Sequence, residues 1–557
     1  MIDRDIHFAR ALVIDGNTLL RNVAAAQLRD MGIGKVVQTA RMREARLLLE
    51  REAFDIVICN REVEGSEVSG QDLLDELRRE RQLAYGTVFM MVTSQARYSE
   101  VVEAAEASLD GLLVRPYTGA LLAERLVQAR QRKRELADLL QALDAQQFEN
   151  ALVIAVRRFQ ARQPHWVYCG RLAAELLLRL DRAAQARQVF ERLAEAQGGA
   201  AWARLGVVRA LVALGETASA RRAVTELIEA DAGSADAHDL LGRILVEQCD
   251  FDGALEQYRS AAELTPGCLL RAQHAGALAF YQGEAESATA LLERAIGLGV
   301  QSKLFDALTL LMLAMLRLDR GDAPGLASMA EQLRRYRERF PQSARLLRFE
   351  GAASVLTNLL ARKPEAALQA LAALSGQAGE ADFDLEAANI VLALWARVPP
   401  ENCPAAEREA LVERIGMRFC TSKALAEVLA ASARRAEPAL GGIRRCQAQV
   451  SALTQRALES SMHGDPAGAV HQLLEAGRST LNAKFLEMAA TIAERHAAAV
   501  PDAPALAAQA RALLERSCAA LNHIAGIQRS GRSPGGLQLR APAPAAAAAP
   551  SAPLAAV

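Results

Sequence analysis

The sequence predicts two folds in one chain. A doubly wound α/β unit on a five-stranded parallel sheet comes first, then an all-α superhelix of helical hairpins, then a disordered tail. Three observations predict this. Residues 9 to about 125 alternate short continuous apolar runs with amphipathic stretches, the pattern of parallel strands covered by helices on both faces. Beyond about residue 132, small residues recur at a fixed 34-residue spacing, the mark of stacked repeats. From Gly526 the chain is mostly Gly, Ser, Pro and Ala, a composition that cannot build a core. The expected boundaries are 1–128 for the α/β unit, 129–302 for about five hairpins in clear register, 303–525 for divergent helical repeats and 526–557 for the tail.

Strands are expected near Ala11–Ile14, Val36–Gln38, Asp55–Cys59, Val88–Val92 and Leu112–Val114. Amphipathic segments such as TLLRNVAAAQLRDMG and SGQDLLDELRRER supply the intervening helices. An open parallel sheet of this kind carries its working site at the carboxyl ends of its central strands. Asp15, Asn60, Thr93 and Arg115 each fall just after an expected strand and should converge there.

The fragments ALVIDGNTLLRN, FDIVICNREV, VFMMVTSQA and LLVRPYT resemble the receiver domain of response regulators, a flavodoxin/CheY-like fold, over about a fifth of the chain. The resemblance implies a site where acidic residues hold a divalent cation, an aspartate accepts a phosphoryl group, and a hydroxyl and a lysine contact the phosphate. Carried over by position, the chain keeps Asp15 but has Gly16 where a second acid is expected. It has Asn60 for the acceptor, keeps Thr93, and has Arg115 before Pro116 for the lysine, with Leu112 at the aromatic switch position. The loop REVEGSEVSG after the third strand is long and acidic.

The departures accumulate. Mg²⁺ is a hard cation held by carboxylates, and one of three survives. The amide nitrogen of Asn60 has its lone pair delocalised and is no nucleophile, and phosphoryl transfer depends on metal and cation placement. Arg115 keeps the charge but not the compact geometry of lysine. Phosphorylation is therefore not expected, and an Asp15–Arg115 ion pair is expected in the metal's stead.

In the second half Ala186, Ala220, Ala254 and Ala288 stand 34 residues apart. Phe190, Val224, Tyr258 and Leu292 follow each by four positions, and Ala174, Val208, Gly242 and Gly276 precede each by twelve. Small residues at fixed helix contacts with this period resemble the tetratricopeptide repeat, whose hairpins bury their apolar faces only against their neighbours. Ala151, 35 residues before Ala186, marks an earlier copy whose first helix begins near Arg132 and would continue the last helix of the α/β unit. The segment ARVPPENCPAAERE is the one clear interruption.

The resemblance implies a concave groove lined by the first helix of each pair. The register puts Tyr168, Arg171, Trp202, Arg209, Arg243, Phe280 and Tyr281 on that inner surface. Arg209 and Arg243 hold the same repeat position and are candidates for reading an acidic partner, with Tyr168 and Trp202 as apolar anchors. Packing between neighbouring helices is the alternative for each aromatic.

Lys plus Arg number 65 against 66 Asp plus Glu, so charge argues for neither nucleic acid nor membrane. The eight cysteines show no metal-like spacing, and reduced cytoplasmic thiols are expected. The eight histidines form no ligand cluster, and no P-loop or GxSxG motif occurs, so no enzyme, no cofactor and no metal are expected. Two readings remain. One is a phosphorylation-independent adaptor that binds protein partners through the repeat groove and the receiver surface. The other is an atypical phosphorylation-responsive regulator with the repeats as output. Dimerisation through the receiver's later helices stays open.

Overall fold

The computed structural model describes residues 5–63, 69–79, 82–94, 110–300, 302, 304–399 and 405–518. The expected tail from 526 and most of the acidic loop, with Glu64 and Glu67, lie outside them.

Five strands form one parallel sheet: β1 (Arg10–Ile14), β2 (Lys35–Thr39), β3 (Ile56–Asn60), β4 (Val88–Thr93) and β5 (Gly111–Val114), in the order β2-β1-β3-β4-β5. Asn60 and Thr93 are the last residues of their strands rather than the first beyond them, because each still pairs in the ladder, Asn60 opposite Val92 and Thr93 opposite Val114. Successive side chains point to opposite faces. Ala11, Val13, Ile56 and Ile58 therefore meet α1 (Thr18–Asp30), while Leu12, Ile14, Val57 and Cys59 meet α2 (Met42–Arg51) and α3 (Gly70–Arg79). The helix α4 (Gly119–Glu135) joins the first of these layers through Leu122 and Leu126. Asn17 caps α1 by accepting from the amides of Leu19 and Leu20, and Thr118 caps α4 through Leu121.

The repeat helices follow at once. The chain kinks at Leu136 between α4 and the helix Ala137–Asp144, which corrects the expectation of one continuous helix. Leu136 still donates to the Arg132 carbonyl and accepts from Leu140, so the kink costs no backbone hydrogen bond there. Hairpins then run 137–160, 166–196, 201–230, 235–264 and 269–299. Ala186, Ala220, Ala254 and Ala288 have no exposed surface. A Cβ at Gly242 would sit 3.0 Å from the Tyr258 ring, and one at Gly276 would sit 2.8 Å from Leu292. The recurring small residues let paired helices approach this closely.

Helix pairing continues to Ser517 through Leu308–Asp319, Ala323–Arg339, Ala344–Leu360, Pro364–Gly376, Leu385–Trp395, Ala405–Phe419, Lys423–Ser432 and Glu437–Met462, then three shorter helices. The inner helices here are unusual. Leu308–Leu316 and Leu385–Trp395 are buried at every residue, and Leu269–Gln282 at nearly all. A helix apolar all round is one covered all round. The cover is the far wall: Lys423–Ser432 packs against Leu269–Gln282, and Arg434 donates to the Tyr281 carbonyl. One apolar cluster consequently runs from Leu205 to Cys518.

Among the described residues no helix is long and apolar enough to cross a membrane, and seven cysteines are free thiols.

Candidate functional site

The parallel register sets the first constellation. Ile14 lies opposite Cys59, Asn60 opposite Val92 and Thr93 opposite Val114, so Asp15, Asn60, Thr93 and Arg115 stand side by side along the sheet's carboxyl edge. Arg115 is tied in place by its amide, which donates 2.9 Å to the Thr93 carbonyl, and is followed by a cis bond to Pro116. Gly70 closes the edge from above: a Cβ there would sit 2.8 Å from the Asn60 carbonyl oxygen.

Asp15 is buried and fully engaged. Its Oδ2 accepts from Nη2 of Arg115, its Oδ1 accepts 2.9 Å from the Asn17 amide, and its carbonyl accepts 2.7 Å from Nη1 of Arg21. Burial, and secondarily the Asp15 charge, pushes the neighbouring Cys59 thiol well above its ordinary pKa, so it is no thiolate. The residues present do not fit a divalent cation. Among the described residues the one carboxylate at this edge, Asp15, is neutralised by a guanidinium, Gly16 offers no side chain, and Asn60 contributes at best a neutral oxygen. Leu112, at the switch position, is half-buried against the α2–α3 layer.

The second constellation is the inner face of the repeats. Arg209 is not free to read a partner: it makes a two-pronged pair with Glu175 at 2.7 and 2.5 Å, one repeat earlier. Both side chains are nearly buried, and a buried carboxylate requires such a partner. Arg171 is buried with its guanidinium over the Trp202 ring at 4.8 Å. Tyr281 is buried under Arg434, and Phe280 is half-buried with Arg397 at 6.0 Å from its ring centre. The groove expectation is thereby corrected at Arg171, Arg209 and Tyr281. Trp202 keeps a half-exposed face, and Arg243 is exposed, 3.6 Å from Glu247. Tyr168 is half-buried beneath the Arg132 guanidinium at 5.2 Å.

The Arg209–Glu175 pair opens a ladder that sequence reasoning missed. Arg271 binds Asp236 and, at 2.7 Å, Asp239. Gln273 donates 2.9 Å to Thr309, and Arg345 bridges Asp306 and Glu386 at 2.5 and 2.6 Å. Each rung joins neighbouring inner helices, or, at Asp306, the connection leading into one of them. The only signal in the sequence was the 34-residue separation of Glu175 and Arg209.

A third cluster lies between the two halves. Asp110 accepts from Arg132 at 2.6 Å and from the Phe89 amide at 3.0 Å, with Lys133 3.1 Å away. Burial opposes the Asp110 charge, but Lys133, Arg132, Arg78 and the Phe89 amide outweigh it and hold the carboxyl below its ordinary range. Lys133 also donates 2.6 Å to the Tyr85 carbonyl, and the Tyr85 amide donates 3.2 Å to Asp144 of the first repeat helix.

The family model described as the response regulator receiver domain matches residues 11–127, and a tetratricopeptide repeat model matches 177–244. Over 117 residues the chain is 30% identical to chemotaxis protein CheY-3 of Vibrio cholerae, covering 21% of this chain and 88% of that protein. The chain belongs to the response regulator receiver family. Among solved structures, a receiver domain protein from Clostridium thermocellum matches 23% of the chain and 98% of its own length at 23% identity, TM-score 0.21. The C-terminal part of a repeat protein from Cytophaga hutchinsonii matches 46% of the chain and 98% of its own length at 15% identity, TM-score 0.29. Receiver domains and tetratricopeptide repeats are generally non-catalytic, and such repeats generally mediate protein–protein contacts. Their fusion gives the chain a signalling and protein-interaction role.

Proposed function

We propose that the protein is a bacterial cytoplasmic signalling adaptor whose receiver domain, residues 1–128, works without phosphoryl transfer, while the repeats of 129–302 and 303–525 hold protein partners. The observation that carries this reading is the Asp15–Arg115 pair beside Asn60. The charge that would bind a cation is spent on a guanidinium, and the residue at the acceptor position is an amide. Arg243 and the half-exposed face of Trp202 are among the inner-face residues accessible to a partner.

The test is incubation of the full chain with Mg²⁺ and acetyl phosphate, read by intact mass, beside titration with a beryllofluoride analogue. The expected result is no adduct and no analogue binding at millimolar donor. A stoichiometric phosphate that disappears on Asp15→Ala substitution would establish the phosphorylation-responsive reading instead.

A further inference from the structure

The receiver helix α3 is buried beyond what its own sheet explains. Leu73, Leu74 and Leu77 face the receiver core, as an amphipathic helix should. Gln71 and Glu76 fall outside that apolar stripe and are buried as well, Glu76 completely. Glu76 pairs with Arg46 of α2, at 2.5 Å from Nε and 2.8 Å from Nη2. On its other side stands Ser302, its hydroxyl 3.4 Å from the carboxylate and itself buried. Ser302 belongs to the connection that leads from the fifth hairpin into the inner helix Leu308–Asp319.

The same domain also grips the start of the array. Tyr85 packs on the core of the first two hairpins, and Arg132 covers Tyr168 on the inner helix Trp166–Arg179. Asp110 and Arg78 bear on that same tyrosine, Arg78 lying only two residues beyond Glu76 on α3. Two array positions three hairpins apart, Tyr168 and Ser302, thus meet the same domain, the first through Arg132 of α4 and the second through Glu76 of α3. A solenoid curves so that its inner helices enclose a concave surface. The receiver domain, touching both Tyr168 and Ser302, reaches from the second hairpin to the end of the fifth.

We propose that the receiver domain is a plug in cis, docked on the array at Tyr168 and at Ser302, which must withdraw before a protein partner reaches the inner helix Trp166–Arg179, while Trp202 and Arg243 stay accessible beside it. Its biological meaning rests on the scaffold reading, but opening itself is measurable with no partner present. The two therefore fail independently: phosphate uptake tests the scaffold, and exposure of the two docked faces tests the plug.

The experiment is hydrogen–deuterium exchange with small-angle scattering on the full chain, comparing wild type with Ser302→Arg and Arg78→Glu. Ser302→Arg sets a bulky cation against Arg46, and Arg78→Glu sets a carboxylate against Asp110 and Tyr168. Each is expected to speed exchange about tenfold in both 70–79 and 166–179, the equivalent of about 1.4 kcal/mol of docking. The radius of gyration should rise, with exchange in 323–339 unchanged. If Ser302→Arg loosens the fifth hairpin itself, peptides from 285–299 will show it, and Arg78→Glu, made from the receiver side, decides. Exchange and radius unchanged in Arg78→Glu would overturn the proposal, as would faster exchange in α3 alone.

Discussion

The helices Ala201–Ala213 and Leu385–Trp395 hold the same place in the repeat, the inner member of a pair, yet they meet different surroundings. The first leaves Trp202, Arg204, Val207 and Val212 half-exposed, whereas the second is buried at every residue. Both are rich in Ala, Leu and Val, so apolar content alone does not separate them. What separates them is the far wall. Four hairpins after Leu269–Gln282 the superhelix returns, and Lys423–Ser432 comes to rest on it. Arg397 grips Asp319 at 2.9 and 2.7 Å across the same interior, and Ser432 meets Asn389 at 2.8 Å. An inner face is a groove only where nothing of the chain's own returns to fill it. In this molecule the later inner helices are core, and the earlier ones keep accessible residues.

The contrast can be broken most forcefully at Arg345. Removing it as Arg345→Ala leaves Glu386, which is 3% exposed, without the guanidinium that neutralises it, and should cost about 3–5 kcal/mol in urea unfolding. A loss below about 1 kcal/mol would mean that the closed wall tolerates an unanswered carboxylate and is wetter than its burial implies. Cavity formation comes next. Leu394→Ala in the closed wall should destabilise by about 2–5 kcal/mol, whereas Val212→Ala in the accessible one should cost about 1 kcal/mol. Equal losses at the two positions would erase the distinction.

Acid offers a sharper probe. His274 lies on the boundary helix, with Arg271, Asp306 and the Tyr258 ring around it, and burial followed by the Arg271 charge pulls its pKa down to about 4. The unfolded chain takes up this proton near 6.5 and the folded one only near 4, so stability falls as pH drops through that window, by up to about 3 kcal/mol. Thermal melts at pH 7 and pH 5 should show the loss, and His274→Gln should flatten it. The smallest effect is expected at Arg243→Ala, within about 0.5 kcal/mol, because this arginine is exposed and only loosely paired. That variant is the one suited to testing partner binding without disturbing the fold.

Legibility in the sequence followed the range of the interaction. The five strands, the 34-residue register and the meeting of Asp15 with Arg115 at the strand ends rest on local pattern and on the parallel topology that such a pattern implies. The engagement of Arg209 by Glu175 was visible only as a spacing, since nothing local tells an arginine facing a groove from one facing the neighbouring helix. Arg171 and Tyr281 were placed on the inner face by register, but register says nothing of what lies opposite.

By itself, the sequence determined the two fold classes, the small residues at helix contacts and the replacement of acids and lysine at the receiver edge. Each depends on residue type and periodicity, which are local properties of the chain. Tertiary structure alone decided that the later inner wall is closed, that its charges answer one another in a ladder, and that Glu76 of the receiver is buried against Ser302 of the array. Those outcomes depend on superhelical curvature. It sums small rotations over many hairpins and brings together residues more than a hundred positions apart, as with Arg434 and Tyr281. No single stretch of sequence carries that sum.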